Sequence, residues 1–381
     1  MLNHAKVMKE LQRVADKLFF NFEDEGDCAR TVWKKISDDS TFAHKIKTVD
    51  VPWMLPSWSG RLDDIFVVKK EFEAYHVLAV DGSQIYPDKH QGTSCSLINI
   101  GSVHLRYGLS GRSVQLYSDP LVFIGDEEKE LHETPNELVN CRRQEWEFFA
   151  GIKHSTLMHQ QTNDDTSLFL FDGSLIFWHL ESKERDVKVR FLASYLDSLQ
   201  KLYEQQVLLA GYISLTKSKE LVNLLRVALA FFAQELGVSE YVQQLKVTLE
   251  YMTDAHIVRF FLKPFTRTTV FKNHSTITKH YPVDLHPHFL YLHVGSEIVR
   301  LEFPAWIAQQ AALVEQLTTL VADQVLKGDG YPVALAEAHE QAVVKGADRD
   351  FFYHMVKKIG LSEKHRSLYS QKIRSKRGIR V

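Results

Sequence analysis

Two stretches decide the fold of this chain: YHVLAVDGS at Tyr75–Ser83 and SLFLFDGS at Ser167–Ser174. Each is a short apolar run ending in Asp-Gly-Ser. A run of that length bounded by a turn signal predicts a buried strand. At the end of such a strand a carboxylate projects from the sheet's C-terminal edge, and glycine lets backbone or phosphate come close. Working outward from the first stretch, SLINIGSVHLRYG and RSVQLYS predict two further strands, antiparallel to it, because β-branched and aromatic residues alternate with Gly and Ser. Asn136 to about His159 predicts a helix with Leu138, Cys141, Trp146, Phe149 and Ile152 on one side. Beyond the second stretch come a helix (VKVRFLASYLDSLQKLYEQ), a buried strand (VLLAGYIS) and another helix (KSKELVNLLRVALAFFAQEL).

Three antiparallel strands, a helix, a strand, a helix and a strand is the order of a ribonuclease-H-like α/β core, a mixed sheet flanked by helices. Further strands are predicted at HFLYLHV and EIVRLEF, then helices over Pro304 to about Leu326 and Val333 to about Lys345. KGDGYP joins those two helices: Gly-Asp-Gly stops one, and Pro332 takes the first position of the next. Residues 1–60 read as a helical extension, with Leu11, Val14, Leu18 and Phe19 at helical spacing, ending in PWMLPSWSG. The expected division is an extension over 1–60, a main unit over 61–350, and a helix with a basic tail over 351–381. The last 18 residues hold seven Lys and Arg and no acid.

Composition narrows the class. The chain has 381 residues, 46 Lys+Arg against 48 Asp+Glu, and three scattered cysteines. Those proportions exclude a disordered or rod-like chain and a protein that is basic all over, but not a local basic path. Cys28, Cys95 and Cys141 form no C-x-x-C pair, so free thiols in a reducing cytoplasm are expected. No signal peptide is expected, because MLNHAKVMKELQRV is amphipathic without an apolar core or cleavage site, and no membrane span, because Leu221–Val238 carries Asn223, Arg226, Gln234 and Glu235. Motifs for nucleotide hydrolysis, dinucleotide cofactors, serine hydrolases and zinc proteases are missing.

The chemistry-bearing residues gather around the two Asp-Gly-Ser sites. Asp81 and Asp172 on neighbouring strands could jointly hold a divalent cation that activates water and stabilises a leaving oxygen. Asp-Gly is also a common turn, so the argument rests on the site occurring twice. A further ligand is available in RRQEWE, from Glu145 or Glu147, and an adjacent Arg143 could meet phosphate. His339 shares a helical face with Leu335 and could serve as ligand, base or transition-state stabiliser. Lys217 opens a helix directly after a buried strand, where it could meet an anion. His274, His280, His286, His288 and His293 fit no standard zinc spacing and are expected to be structural.

In order along the chain, AVDGS, FDGSL, GYISLTKSKEL, TDAHIVRFFL, VRLEFP and GDGYPVALAEAHE resemble the motifs of the NurA family of DNA-end-processing nucleases, over about residues 70 to 350. The resemblance implies a ribonuclease-H-like (PIWI-like) fold and a Mn2+-dependent enzyme, with Mg2+ as a substitute. Its activities would be single-strand endonuclease and 5′–3′ exonuclease. It also implies a homodimer that engages single-stranded DNA and duplex ends and docks on a HerA-type hexameric ATPase, in break repair or defence. Carried over, the catalytic set is Asp81, Glu145, Asp172 and His339, with Asp254 as a further metal ligand and Ser83, Arg143, Ser174 and Lys217 toward DNA. The other reading is a non-catalytic DNA-binding subunit of the motor.

Overall fold

The computed structural model describes residues 2–14, 23–49, 51, 53–88, 95–108, 111–124, 135–161, 166–235 and 249–362. Leu18, Phe19 and the basic tail lie outside the described residues. The helices are α1 His4–Arg13, α2 Glu23–Asp38, α3 Phe42–Lys45, α4 Pro135–Gln161, α5 Arg185–Glu204, α6 Glu220–Glu235, α7 Asp254–Arg259, α8 Ala305–Ala308, α9 Ala311–Lys327, α10 Val333–Ala342 and α11 Gly346–Ser362. The strands are β1 Ser57–Trp58, β2 Ile65–Val67, β3 Tyr75–Ile85, β4 Cys95–Tyr107, β5 Ser113–Ile124, β6 Ser167–Asp172, β7 Leu208–Ile213, β8 Thr266–Thr268, β9 Phe271–Lys272, β10 Pro287–His293 and β11 Ile298–Pro304.

All the strands join one mixed sheet in the order β1-β9-β10-β11-β7-β6-β3-β4-β5, with β8 on β10 and β2 on β8. β3, β4 and β5 form the expected antiparallel meander. β6 and β7 add to β3 in parallel, and β11 returns antiparallel to β7. β6 from Leu168 to Phe171 and β7 are apolar because helices cover both faces, which is why they read as continuous hydrophobic runs.

One expectation changes. Asp81 does not end its strand: β3 runs on to Ile85, paired with β4 to Ile85↔Leu97. What stops is the parallel pairing with β6, whose last pair is Val80↔Phe171. Asp81-Gly82 is therefore strand and not turn, and Gly82 answers to a close approach. A Cβ there would stand 2.6 Å from Glu147 Oε1 and 2.7 Å from Arg143 Cγ.

The two faces are packed by different helices. Asp81 pairs with Gly101, so both point to the same face. A Cβ on Gly101 would meet the Ala338 carbonyl and the Ala342 nitrogen at 2.4 Å, so α10 lies directly on the backbone of β4 there. Gly82, one residue on, faces α4. A second core, built from Ala29, Val32, Trp33, Leu221, Leu225, Ile257, Phe289 and Tyr291 among others, ties α2 to α6, α7 and the outer strands. Among the described residues no helix is long and apolar enough to cross a membrane.

Candidate active site

The sheet register brings the two aspartates side by side. Asp81 and Asp172 each stand one residue past the Val80↔Phe171 pair, on adjacent strands. Gly173 follows Asp172 with φ 142°, a conformation that glycine tolerates and other residues resist, and it turns the chain off the sheet edge.

Each aspartate is oriented by a group from the Gly328–His339 segment. Nδ1 of His339 donates to Asp81 Oδ2 at 2.8 Å, and the Tyr331 hydroxyl donates to Asp172 Oδ2 at 3.1 Å. The Gly82 N–H donates to Asp81 Oδ1 at 2.8 Å. The His339 side chain remains 60% exposed, so its ring is held at one nitrogen and open to solvent around it. In the sequence, Tyr331 stands out only by its place beside Pro332 at a helix start.

α4 supplies a third carboxylate, and it is Glu147. Residues two apart on a helix point about 200° apart, so Glu145 and Glu147 take opposite sides. Glu145 faces α5, with Arg190 at 3.6 Å. Glu147 is buried beside Gly82 and paired with Arg143 one turn earlier. Arg143 also donates to the Gly82 carbonyl at 3.3 Å, which locks helix to strand. Burial pushes Glu147 up to about 7; Arg143 opposes the shift, and Asp81 and Asp172 add to it. Asp172 opens to solvent at the strand end, yet the protein around its carboxyl raises its pKa, and Asp81 raises it further. The field of Asp81 on both Glu147 and Asp172 marks a site of concentrated negative charge.

Other expected members lie elsewhere. Asp254 accepts from the Leu221 and Val222 amides at 2.9 and 3.0 Å and from the Tyr291 hydroxyl at 2.6 Å, so it caps the N-terminus of α6 inside the second core. Ser83 accepts from Val344 N at 3.3 Å, which fastens the chain leaving α10. Ser174 donates to Glu302 Oε2 at 2.7 Å. Lys217 is exposed in the loop after β7, at the same sheet edge as Asp172. Of the histidine string, His274 bonds Ser57 and His288 bonds the His286 carbonyl.

A family model described as the NurA domain matches residues 75–344. The chain belongs to the NurA family. No curated protein matches this NurA-family chain. Among solved structures, a crystal structure of NurA with manganese is 12% identical, with TM-score 0.39, covering 92% of this chain and 98% of that chain. A second crystal structure of NurA is 11% identical, with TM-score 0.38, covering 84% of this chain and 94% of that one. A third, of NurA bound to dAMP and manganese, is 12% identical, with TM-score 0.36 and coverage of 91% and 95%.

The donor chemistry of this NurA-family site suits a hard divalent cation, which takes oxygen ligands from carboxylates. Asp81, Asp172 and Glu147 would hold it. Among the described residues, however, no three His, Cys, Asp or Glu side chains stand within joint reach of one ion. His339, Tyr331 and Arg143 each engage one of the three carboxylates instead.

Proposed function

We propose that this chain is a metal-dependent nuclease acting on DNA ends. The carrying observation is the register that sets Asp81 beside Asp172, with His339 on Asp81 and Glu147 against the adjoining Gly82. Strand order β5-β4-β3-β6-β7, with β4 reversed, supports a ribonuclease-H-like core. Asp81, Asp172 and Glu147 would hold the cation, Mn2+ first and Mg2+ as a substitute. A cation bound there would supply Lewis-acid activation of water and neutralise charge at the phosphate. Asp81 fixes the His339 ring through Nδ1, leaving Nε2 to exchange a proton with the nucleophile or the leaving oxygen. Tyr331 keeps Asp172 in one rotamer. Lys217 at the sheet edge and Arg143 beside Glu147 meet the phosphodiester backbone.

Single-strand endonuclease and 5′–3′ exonuclease activities, a homodimer and a HerA-type ATPase partner belong to the same reading. Asp81→Asn should keep the fold and lose Mn2+-dependent cleavage of end-labelled single-stranded DNA by at least a hundredfold. Cleavage at the wild-type rate would overturn the assignment. The spread of the carboxylates favours a second reading, a non-catalytic DNA-handling subunit. Calorimetric titration decides: no heat with Mn2+ selects the subunit.

A further inference from the structure

Away from the carboxylates, a cavity of about 510 Å³ opens where β8, β9 and β10 meet the start of α9. Arg267, Lys272, His288, Phe66 and Thr269 line it, and among the described residues no acid does. Arg267 is only 8% exposed. Its one hydrogen bond among the described residues goes to the Thr268 carbonyl, 3.0 Å from Nη1. The guanidinium lies 4.2 Å from the centroid of Phe66, which fixes its plane. The acid whose field reaches it, Glu315, is already paired with Lys69 at 2.8 Å. Burial lowers Arg267 to about 10, so it stays protonated at neutral pH.

A buried cation without a carboxylate is costly. The contrast with Arg300 is direct: that guanidinium, more deeply buried still, has Glu220 and Glu302 at 2.8 and 2.7 Å. Arg267 and Phe66 are cross-strand partners, and Lys272 pairs with His288, so the register turns both cations into the same space. Ala311 and the acid-free first turn of α9 add the positive end of a helix to the rim. We propose that this cavity is a nucleotide-phosphate site, with Arg267 as the buried anchor and Lys272 as the second cation. Its volume suits one nucleotide. β10 stands three strand spacings from β6, roughly 14 Å across the sheet. A strand seated at the carboxylates could therefore reach it. Assigning the phosphate to DNA rests on the nuclease reading, whereas the anion site itself does not.

The test uses the full chain in EDTA, which removes any metal-dependent binding at the carboxylates. Fluorescence anisotropy with labelled oligo-dT and calorimetry with a deoxynucleoside 5′-monophosphate separate a bound strand from a free nucleotide. Arg267→Met should weaken the probe that uses the site about tenfold. If that probe is the strand, the slope of log K against log salt should fall by about 0.7. Arg267→Lys should restore part of the loss, which a packing defect would not allow. Lys272→Met, at a less buried position, gives the same readout should the Arg267 variants fail to fold. Wild-type affinity for both probes in Arg267→Met or Lys272→Met overturns the proposal. Mn2+-dependent cleavage of the same strand is read separately on the unmodified chain, so failure of the nuclease reading is distinguishable from loss of the anion site in EDTA.

Discussion

Glu147 and Glu145 show how much two positions on a helix matter. Both are buried glutamates in RRQEWE, and spacing alone leaves the choice between them open. The structure separates them through Gly82, whose missing side chain admits Glu147 and Arg143 to the strand. Glu147→Gln should therefore abolish Mn2+ binding and cleavage, while Glu145→Gln keeps both within about threefold. A calorimetric titration of the two variants side by side checks this, and the opposite ranking would return the role to Glu145. The raised pKa adds a pH dependence with a definite sign. A carboxylate ligand must lose its proton to bind metal. With Glu147 up at about 7, a growing fraction is protonated as pH falls below that value. Mn2+ affinity should weaken by up to tenfold per pH unit below 7 and level off above it, and binding at pH 6 should release close to one proton. Heats measured in buffers of different ionisation enthalpy would count the protons. The aspartates and His339 were legible because each sits in a motif that repeats or ends a helix signal. Glu147 was legible only as one of two candidates, and the roles of Tyr331 and Glu302 were not legible at all, because each acts through tertiary contact with a residue far away in sequence.

At the scale of elements, α10 delivers His339, and it sits where it does because β4 carries glycine at residue 101. The hydrophobic period reveals that a helix exists over Val333–Ala342; it does not reveal which strand the helix lies on. Contact with Gly101 fixes that, and Asn99 strengthens it by donating to the Gln341 and Ala342 carbonyls at 3.1 and 2.9 Å. Gly101→Ala would press a methyl group into backbone atoms at 2.4 Å, which no side-chain rotation relieves. Overpacking of this kind costs about 1–3 kcal/mol. The denaturant midpoint should drop accordingly, and cleavage should fall further than stability explains because His339 moves off Asp81. Loss of stability with full activity would show that α10 can shift without carrying His339 away. The same limit applies to β3. An Asp-Gly after an apolar run reads as a turn, and only the pairing with β4 shows that the strand passes through it.

Across the whole molecule, a buried polar chain joins the two cores and ends beneath the site. Asp254 accepts from Tyr291, and Tyr291 accepts from Arg300 Nη1 at 3.3 Å. Arg300 pairs with Glu220 at 2.8 Å and Glu302 at 2.7 Å. Glu302 then accepts from Ser174 Oγ and Leu175 N at 2.7 and 2.9 Å, directly after Asp172-Gly173. This explains why TDAHIVRFFL and VRLEFP accompany the aspartates without contributing a carboxylate to them: they support the loop from below. Removing the central cation should be felt at both ends. Arg300→Met leaves Glu220 and Glu302 buried with no guanidinium between them, a loss of about 3–5 kcal/mol. A purely structural role predicts a lower melting temperature and unchanged Mn2+ affinity per folded molecule. The network as traced predicts more. With Glu302 unbalanced, Ser174 and Leu175 lose their fixed acceptor, Asp172 loses its register beside Asp81, and Mn2+ affinity falls along with stability. Glu302→Gln sharpens the distinction, because the amide oxygen can still accept from Ser174 while the ion pair with Arg300 is gone. It should lose stability yet keep most of its metal affinity. Equal loss of metal affinity in both variants would mean that the charge of Glu302, and not its grip on the loop, sets the position of Asp172.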